Sequence, residues 1–553
     1  MKQIIECVPN FSEGRDKKTI DKIAAAISGT EGVKLLNVDP GMATNRTVMT
    51  FAGEPKAVVE AAFRAIKTAA ENIDMRNHHG EHPRIGATDV CPLIPVSGIT
   101  MEETVEYARE LAKRVGSELE IPVYCYEHAA FEEKRRNLAI CRAGEYEGLE
   151  AKLSDPEWKP DFGPATYSDR VASTGLTVIG ARDFLIAVNF NLNTTSVRRA
   201  NAISFDVRER GRKVVVDGKE TWQPGTLKHA KAIGWYIEEY GMAQVSMNLT
   251  NIAQTPLHIA FDEVCDKAGK RGIRVTGSEL VGLVPKSAML EAGKYFLCKQ
   301  QRSLGLPEEE IIRTAIRSMG LNELKPFDPQ TRILEYLLEE DKDEKCLCDL
   351  TCKEFALETA SESPAPGGGS VAAYMGALGA ALGTMVANLS SHKRGWDDQW
   401  EYFSNWAEKG QVLVGKLLFL VDEDTRSYKK VIEAFSLPRE TEEEIVARDR
   451  AIEQATFYAA EVPLQTMRTA YEVFEIIEDM IEKGNPNSVT DAGVGAPAVL
   501  GAIKGGYLNV HINTADLNDR EAARTLTEEA SKWLEKAEKK EKELWDKVRS
   551  KVV

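Results

Sequence analysis

Glu339-Glu340-Asp341-Lys342-Asp343-Glu344-Lys345 divides the chain. A run of charged side chains has no apolar face to bury, so it reads as a solvated linker. On its N-terminal side, strand-like apolar stretches alternate with stretches of helical period. Residues 4–8, 33–38 and 48–51 read as strands, and 56–73 and 102–119 as amphipathic helices. The same style continues with strands at 184–191 and 244–249 and helices at 255–269 and 308–318. On the C-terminal side strand signals nearly vanish and helical periodicity runs to the end. Leu526, Ala530, Trp533, Ala537, Leu544 and Val548 trace a last apolar face, interrupted at Lys540 and suited to bundle packing or self-association. The pattern predicts an α/β (α+β) half of two subdomains, 1–184 and 185–338, a linker at 339–348, and an all-α helical bundle over 349–553.

Composition narrows the function classes. A chain of 553 residues that is 43% hydrophobic can build several cores. Its net charge of −16 argues against generic nucleic-acid binding, and an anionic substrate would need local basic residues. Nine cysteines, mostly scattered, and the acidic, strand-like start Met1-Lys2-Gln3-Ile4-Ile5-Glu6 point to free thiols in the cytoplasm. Cys346-Leu347-Cys348 with Cys352 lacks a second ligand pair and a nearby histidine, so no metal is expected. Residues 371–389 carry no charge, but they are built from Ala and Gly with a Gly379/Gly383 pair. That favours a buried, closely packed helix over a membrane span.

Chemistry-bearing residues cluster in loops of the first half. Three of eight histidines, His78, His79 and His82, lie at or beside the start of Gly80-Glu81-His82-Pro83-Arg84-Ile85-Gly86-Ala87-Thr88-Asp89-Val90-Cys91-Pro92. Pro83 biases His82 toward extended backbone, and an imidazole on a stiff loop at a sheet edge suits proton transfer near neutral pH. The alternative is a loop histidine bonded to a carbonyl. Asn10-Phe11-Ser12-Glu13-Gly14-Arg15, after a strand and before a helix, can meet an anion or simply cap. Asp39-Pro40-Gly41-Met42-Ala43-Thr44-Asn45-Arg46-Thr47 reads as a turn between strands. Asp161-Phe162-Gly163-Pro164-Ala165-Thr166-Tyr167, ending near Ser173-Thr174-Gly175, frames a flat ligand or closes a loop.

The helical half offers sharper signals. Pro364-Ala365-Pro366-Gly367-Gly368-Gly369-Ser370 presents backbone N–H groups at a helix start, where an anion is favoured. It is not a Walker loop, since no Gly-Lys-Ser/Thr follows. Leu417, Val421, Asp424, Tyr428, Val431 and Phe435 share one helical face, with Asp422 and Glu423 off it. Asp424 is thus a lone carboxylate in an apolar stripe, where desolvation would raise its pKa, unless a nearby Arg or Lys pairs with it. Asn509 and Asn513, four residues apart, can line a polar pocket.

At these residues the chain resembles the bifunctional formimidoyltransferase–cyclodeaminase family over essentially its whole length. The resemblance rests on Cys7-Val8-Pro9-Asn10-Phe11-Ser12-Glu13-Gly14, the His82 run, Asp161-Phe162-Gly163-Pro164 and Gly277-Ser278-Glu279-Leu280-Val281-Gly282-Leu283-Val284-Pro285 in the first half. In the second it rests on Ala365-Pro366-Gly367-Gly368-Gly369-Ser370-Val371-Ala372-Ala373 and Leu420-Val421-Asp422-Glu423-Asp424. It implies transfer of a formimino group from N-formimino-L-glutamate to tetrahydrofolate, then cyclisation to 5,10-methenyltetrahydrofolate with loss of ammonia, in histidine degradation. The family's transferase histidine matches His82, and its cyclodeaminase aspartate matches Asp424. Its folate-binding loop begins at Gly163 and Pro164 and continues through Ala165, Thr166 and Tyr167 to Thr174 and Gly175. This chain carries a few extra residues between Tyr167 and Gly175.

Backbone donors at Gly367, Gly368, Gly369 and Ser370 are candidates to hold a glutamyl carboxylate or the pterin. Asp39, Arg46 and Arg84 are candidates to hold the glutamate substrate. The resemblance also implies tetrahydrofolate as co-substrate, polyglutamylated, and a homo-oligomer. Two other readings compete: a helical half acting as a methenyltetrahydrofolate cyclohydrolase, and a non-catalytic folate-binding scaffold.

Overall fold

The computed structural model describes residues 3–42, 44–80, 83–216, 219–339 and 346–552; His82, and residues 340–345 of the charged run, lie outside them. The division into α/β and all-α parts stands: every described strand ends by Val281, and only helices follow. The chain forms two compact units, Met1–Met289 with Met319–Asp341, and Leu290–Ser318 with Lys342–Val553.

The first unit holds two main sheets. Strands β1 (Ile4–Cys7), β2 (Asn10–Phe11), β3 (Val33–Gly41), β4 (Arg46–Gly53), β5 (Thr88–Ser97), β6 (Val123–Glu127) and β7 (Thr177–Ala181) make a seven-stranded sheet. β1 and β2 both lie between β4 and β5. They are separate strands because Pro9 has no N–H for the ladder, although its carbonyl still accepts the Met49 N–H at 3.1 Å. β5–β7 and β7–β6 run parallel; the other pairs are antiparallel. Helices α1 (Lys17–Ser28), α2 (Pro55–Asn72) and α3 (Met101–Glu118) cover one face. Their apolar stripes (Ile23 and Ile27, Ile66, Leu111) meet Ile5, Cys7, Phe11 and Phe51 in one core. The second sheet has the order β11-β12-β8-β13, from β8 (Ile186–Leu192), β11 (Ala230–Ile237), β12 (Met242–Leu249) and β13 (Val275–Val281), while β9 (Arg212–Val216) and β10 (Lys219–Gln223) form a separate hairpin. Helices α4 (Val197–Val207) and α5 (Leu257–Gly269) pack against it.

The second unit is a bundle. Helices α6 (Lys286–Lys299) and α7 (Glu308–Met319) supply the earlier segment; α8 (Gly368–Ser391), α9 (Trp400–Ser436), α10 (Glu442–Lys483), α11 (Val489–Thr514) and α12 (Arg520–Val552) supply the rest. Leu290–Ser318, which the sequence pattern grouped with 185–338, joins this unit. The Leu304 N–H donates to Ser404 Oγ at 2.9 Å, and Asn388 Nδ2 donates to the Gly305 carbonyl at 2.9 Å. α8 is long and apolar enough to cross a membrane, yet its small residues serve packing. A Cβ on Gly379 would stand 2.6 Å from Val499 Cγ2 of α11. α12 runs unbroken where the apolar pattern lapses, because Lys540 pairs with Glu478 of α10 at 2.6 Å.

Candidate functional site

In the first unit, three separately read loops converge on Asn45. This buried residue has φ 46°, a left-handed conformation that Asn tolerates well. Its Oδ1 accepts the Gly14 N–H at 3.0 Å, and its Nδ2 donates to the His79 carbonyl at 3.0 Å. Its own carbonyl meets His78 Nε2 at 2.9 Å. Ser12 Oγ and N–H donate to the carbonyls of Gly86 and Ala87, and Thr47 Oγ1 donates to Glu13. The stretch read as one long turn is mostly strand: β3 extends to Gly41 and β4 starts at Arg46. Asp39 therefore lies exposed near the end of β3, with Arg46 at the start of β4. Burial lowers the pKa of Arg46, nearby Arg142 lowers it further, and Asp89 and Asp39 oppose both.

Arg84 is buried and fully engaged. Its Nε donates to His78 Nδ1 at 3.3 Å, and one Nη2 bond goes to the His78 carbonyl at 3.1 Å. The other bonds go to Glu145 (3.3 Å) and Glu147 (2.8 and 2.6 Å). That accounts for all five guanidinium donors. A cavity of about 500 Å³ lined by His79, Gly80, Arg84, Gly144, Glu145 and Glu147 opens beside it. Asp89, buried in β5, takes Arg142 on both oxygens and the Ile85 N–H at 3.1 Å. Burial pushes the Asp89 carboxyl up, against the pull of Arg142.

The loop from Gly163 is tethered at both ends. Buried Arg135 donates to Asp161 Oδ1 at 2.5 Å and to the Lys159 carbonyl at 2.7 Å, while Asp161 Oδ2 accepts the Cys125 N–H at 2.8 Å. Gly163 (φ 85°) then turns where a Cβ would strike the Ile121 carbonyl. Pro164, Ala165, Thr166 and Tyr167 follow without regular structure, but Asp169–Thr174 forms a short helix where an open loop was expected. Gly175 (φ 69°) closes against Gly86, and the Ala87 N–H donates to the Thr174 carbonyl at 2.7 Å. Tyr146 links the two regions: its N–H donates to the Arg84 carbonyl at 2.9 Å, and its hydroxyl bonds the Ala172 carbonyl and lies 3.4 Å from the Tyr167 hydroxyl.

In the second unit, Asp424 of α9 lies over the start of α8. Ser370 Oγ donates to Asp424 Oδ2 at 2.9 Å, and the Ser370 N–H bonds the same carboxyl. Asp424 thus serves the helix start whose N-cap, Gly367, has no side-chain bond. Among the backbone donors expected to face a ligand, Ser370 N–H faces this carboxyl instead. A Cβ on Gly369 would come 2.1 Å from Asp424 Oδ1, and one on Gly368 would come 3.4 Å from Asn509 Nδ2. Asn513 lies elsewhere, donating to the Ala459 carbonyl at 2.7 Å. Burial raises the Asp424 pKa, outweighing both Ser370 bonds.

Its neighbour differs. Glu423, read as off the apolar face, is buried, held by Tyr458 (2.5 Å), Arg426 (3.1 Å) and Lys430 (3.6 Å). Burial works to raise its pKa, but these partners leave it lowered. The apolar stripe also fails at its end, where Tyr428 and Phe435 are exposed. Near the cysteine cluster, Cys348 donates to the Leu418 carbonyl at 3.3 Å and Cys352 lies 3.9 Å from the Tyr374 hydroxyl.

Sequence reading overlooked Asn45, Asp89, Arg135, Arg142 and Tyr146. Asn45 had a signal, since Asn favours left-handed turns. Asp89 had one too, as a lone carboxylate entering an apolar strand. The others act on partners 21 to 62 residues away, beyond any local period.

Three family models match successive parts of the chain: the N-terminal subdomain of the formiminotransferase domain over residues 4–182, the formiminotransferase domain over 187–339, and formiminotransferase-cyclodeaminase over 351–532. A formimidoyltransferase-cyclodeaminase of Mus musculus is 44% identical over 519 residues, 94% of each chain. A glutamate formimidoyltransferase of Streptococcus pyogenes is 40% identical over 297 residues, 54% of this chain and 94% of its own. A methenyltetrahydrofolate cyclohydrolase of Methylorubrum extorquens is 35% identical over 202 residues, 36% of this chain and 97% of its own.

Proposed function

The chain belongs to the formimidoyltransferase-cyclodeaminase family, and on that premise we propose that it runs two consecutive folate reactions. It transfers the formimino group of N-formimino-L-glutamate to tetrahydrofolate, then cyclises 5-formiminotetrahydrofolate to 5,10-methenyltetrahydrofolate and releases ammonia. The observation that carries this reading is the 44% identity to a bifunctional relative across both units.

In the first reaction His82 takes a proton as a folate nitrogen attacks the imino carbon, then returns it to the departing amine of glutamate. The 163–175 loop receives the folate. Arg46 and Asp39 hold the glutamate substrate, and the saturated donors of Arg84 leave it no free bond for that task. In the second reaction Asp424 protonates the amino group of the tetrahedral intermediate so that it departs as ammonia. A carboxyl whose pKa is raised by burial, beside a carboxylate whose pKa its partners lower, supports that assignment, because the two neighbours are pushed in opposite directions. Gly367 and Gly368, where a Cβ would meet nothing closer than 3.4 Å, contact the folate beside Asp424, and Gly369 packs against the carboxyl itself. The resemblance further supports polyglutamylated folate, a place in histidine breakdown, a cytoplasmic setting and self-association.

A coupled assay tests the reading. Given N-formimino-L-glutamate and tetrahydrofolate, the chain should form methenyltetrahydrofolate and ammonia in equal amounts. His82→Ala should lose transfer by about 10²–10⁴-fold while still cyclising preformed 5-formiminotetrahydrofolate; Asp424→Asn should do the reverse. The 35% identity of a cyclohydrolase to the helical part favours one rival. Hydrolysis of methenyltetrahydrofolate with no ammonia from the formimino compound would decide for it.

A further inference from the structure

We propose that the 346–352 strap is a thiol switch on cyclisation: a disulfide between Cys348 and Cys352 lifts it from α9 and loosens the start of α8 over Asp424. The proposal rests on the reading of Asp424 as the cyclisation acid.

The strap lies along one edge of α9. The Leu347 N–H donates to Asp422 Oδ1 at 2.6 Å, and the Cys348 thiol donates to the Leu418 carbonyl at 3.3 Å. Arg426 reaches Cys346 Sγ at 3.8 Å with Nη2, while its Nη1 holds Glu423 at 3.1 Å. Positions 418, 422 and 426 follow one another along one helix edge, and Asp424 lies between the last two. Leu347, Phe355 and Tyr374 pack against the bundle core, with the two rings 5.1 Å apart. Exposed Cys352 opens the short helix Cys352–Thr359, its Sγ 3.9 Å from the Tyr374 hydroxyl. From there residues 360–367 lead into α8, where Ser370 holds Asp424. The strap is thus tied to the acid twice, across α9 and along the chain.

Docking depends on reduced sulfur. Burial, and then Asp422, pushes the Cys348 thiol up to about 12, so it keeps the proton that it gives to Leu418. A disulfide has no such proton. It leaves that carbonyl without its donor and draws Cys348 away from α9. Cys348 and Cys352 are free thiols four residues apart. Burial raises the Tyr374 hydroxyl, and Cys352 and Cys348 raise it further, so both sulfurs neighbour one group. The oxidant is a low-molecular-weight disulfide such as glutathione disulfide. The exposed Cys352 thiolate attacks it and displaces one thiolate. Cys348 then gives up its proton, attacks the Cys352 sulfur and displaces the second thiol. One external disulfide is reduced to two thiols as the 348–352 bond forms.

The test uses the full chain, reduced with dithiothreitol or oxidised with glutathione disulfide, the bond being located by peptide mass mapping. The oxidised chain should carry the 348–352 bond and release ammonia from preformed 5-formiminotetrahydrofolate at least about fivefold more slowly. Transfer should be unchanged, and dithiothreitol should restore cyclisation. Cys352→Ser should keep the basal rate and lose the sensitivity. Cys346→Ser should keep the sensitivity, because Cys346 only accepts from Arg426. Failure of the bond to form, full cyclisation with the bond in place, or inhibition that persists in Cys352→Ser would each overturn the proposal. If the reduced chain itself releases no ammonia, the underlying reading fails instead.

Discussion

Adjacent carboxylates on α9 are handled in opposite ways. Glu423 has a phenol and two cations; Asp424 has one hydroxyl and one amide N–H. Desolvation is common to both, so the partners decide which way each pKa moves. Sequence made Asp424 legible through buried Leu417 and Val421 on its face. It could not show Ser370, 54 residues away, nor that Glu423 turns inward onto Tyr458 from α10. The tightest contact is with Gly369, where any Cβ would overlap Asp424 Oδ1. Gly369→Ala should therefore displace the carboxyl and reduce cyclisation at least tenfold while transfer persists, as ammonia release from 5-formiminotetrahydrofolate would record. Asp424 acts as an acid, so the cyclisation rate should fall as pH rises through its raised pKa; a rate that climbs steadily with pH would contradict that role.

At the scale of elements, the β3–β4 hairpin organises the first site. Its turn residue Asn45 joins the 12–15 loop to the histidine loop through three bonds, one to Gly14 and one each to His78 and His79. Asn45→Ala removes both side-chain bonds and leaves a β-carbon residue at positive φ. We expect a loss of about 2–4 kcal/mol, read from the denaturant midpoint of the first unit. Asn45→Asp, which keeps the acceptor, should lose less. The hydrophobic period revealed both strands, but their ends were hidden because Asp39, Gly41 and Arg46 are not apolar. The Asp169–Thr174 helix was hidden for another reason: six residues are too few to show a helical period.

At the scale of the molecule, the change from alternating elements to helices was visible in the sequence because each half keeps one period throughout. Buried charge was not visible. Glu6 sits inside β1, where burial lifts its carboxyl from 4.5 to about 7 against the pull of Arg182. Unfolded chain releases this proton near 4.5, whereas the folded unit keeps it to about 7. Between those values the folded state binds the extra proton, so stability falls as pH rises and levels off above 7, by up to about 3 kcal/mol. Glu6→Gln should therefore stabilise the first unit at pH 8 and change little at pH 4.5; equal shifts at both would refute the burial argument. Gly86 meets Gly175 so closely that a Cβ on either would strike backbone. Together with the Arg135–Asp161 bond, this contact pins both feet of the 163–175 loop to the sheet. Residues can then be gained or lost between Pro164 and Ser168, where no regular structure forms, without disturbing the strands. That stretch is where loop length can vary, while the two glycines leave no room for a side chain.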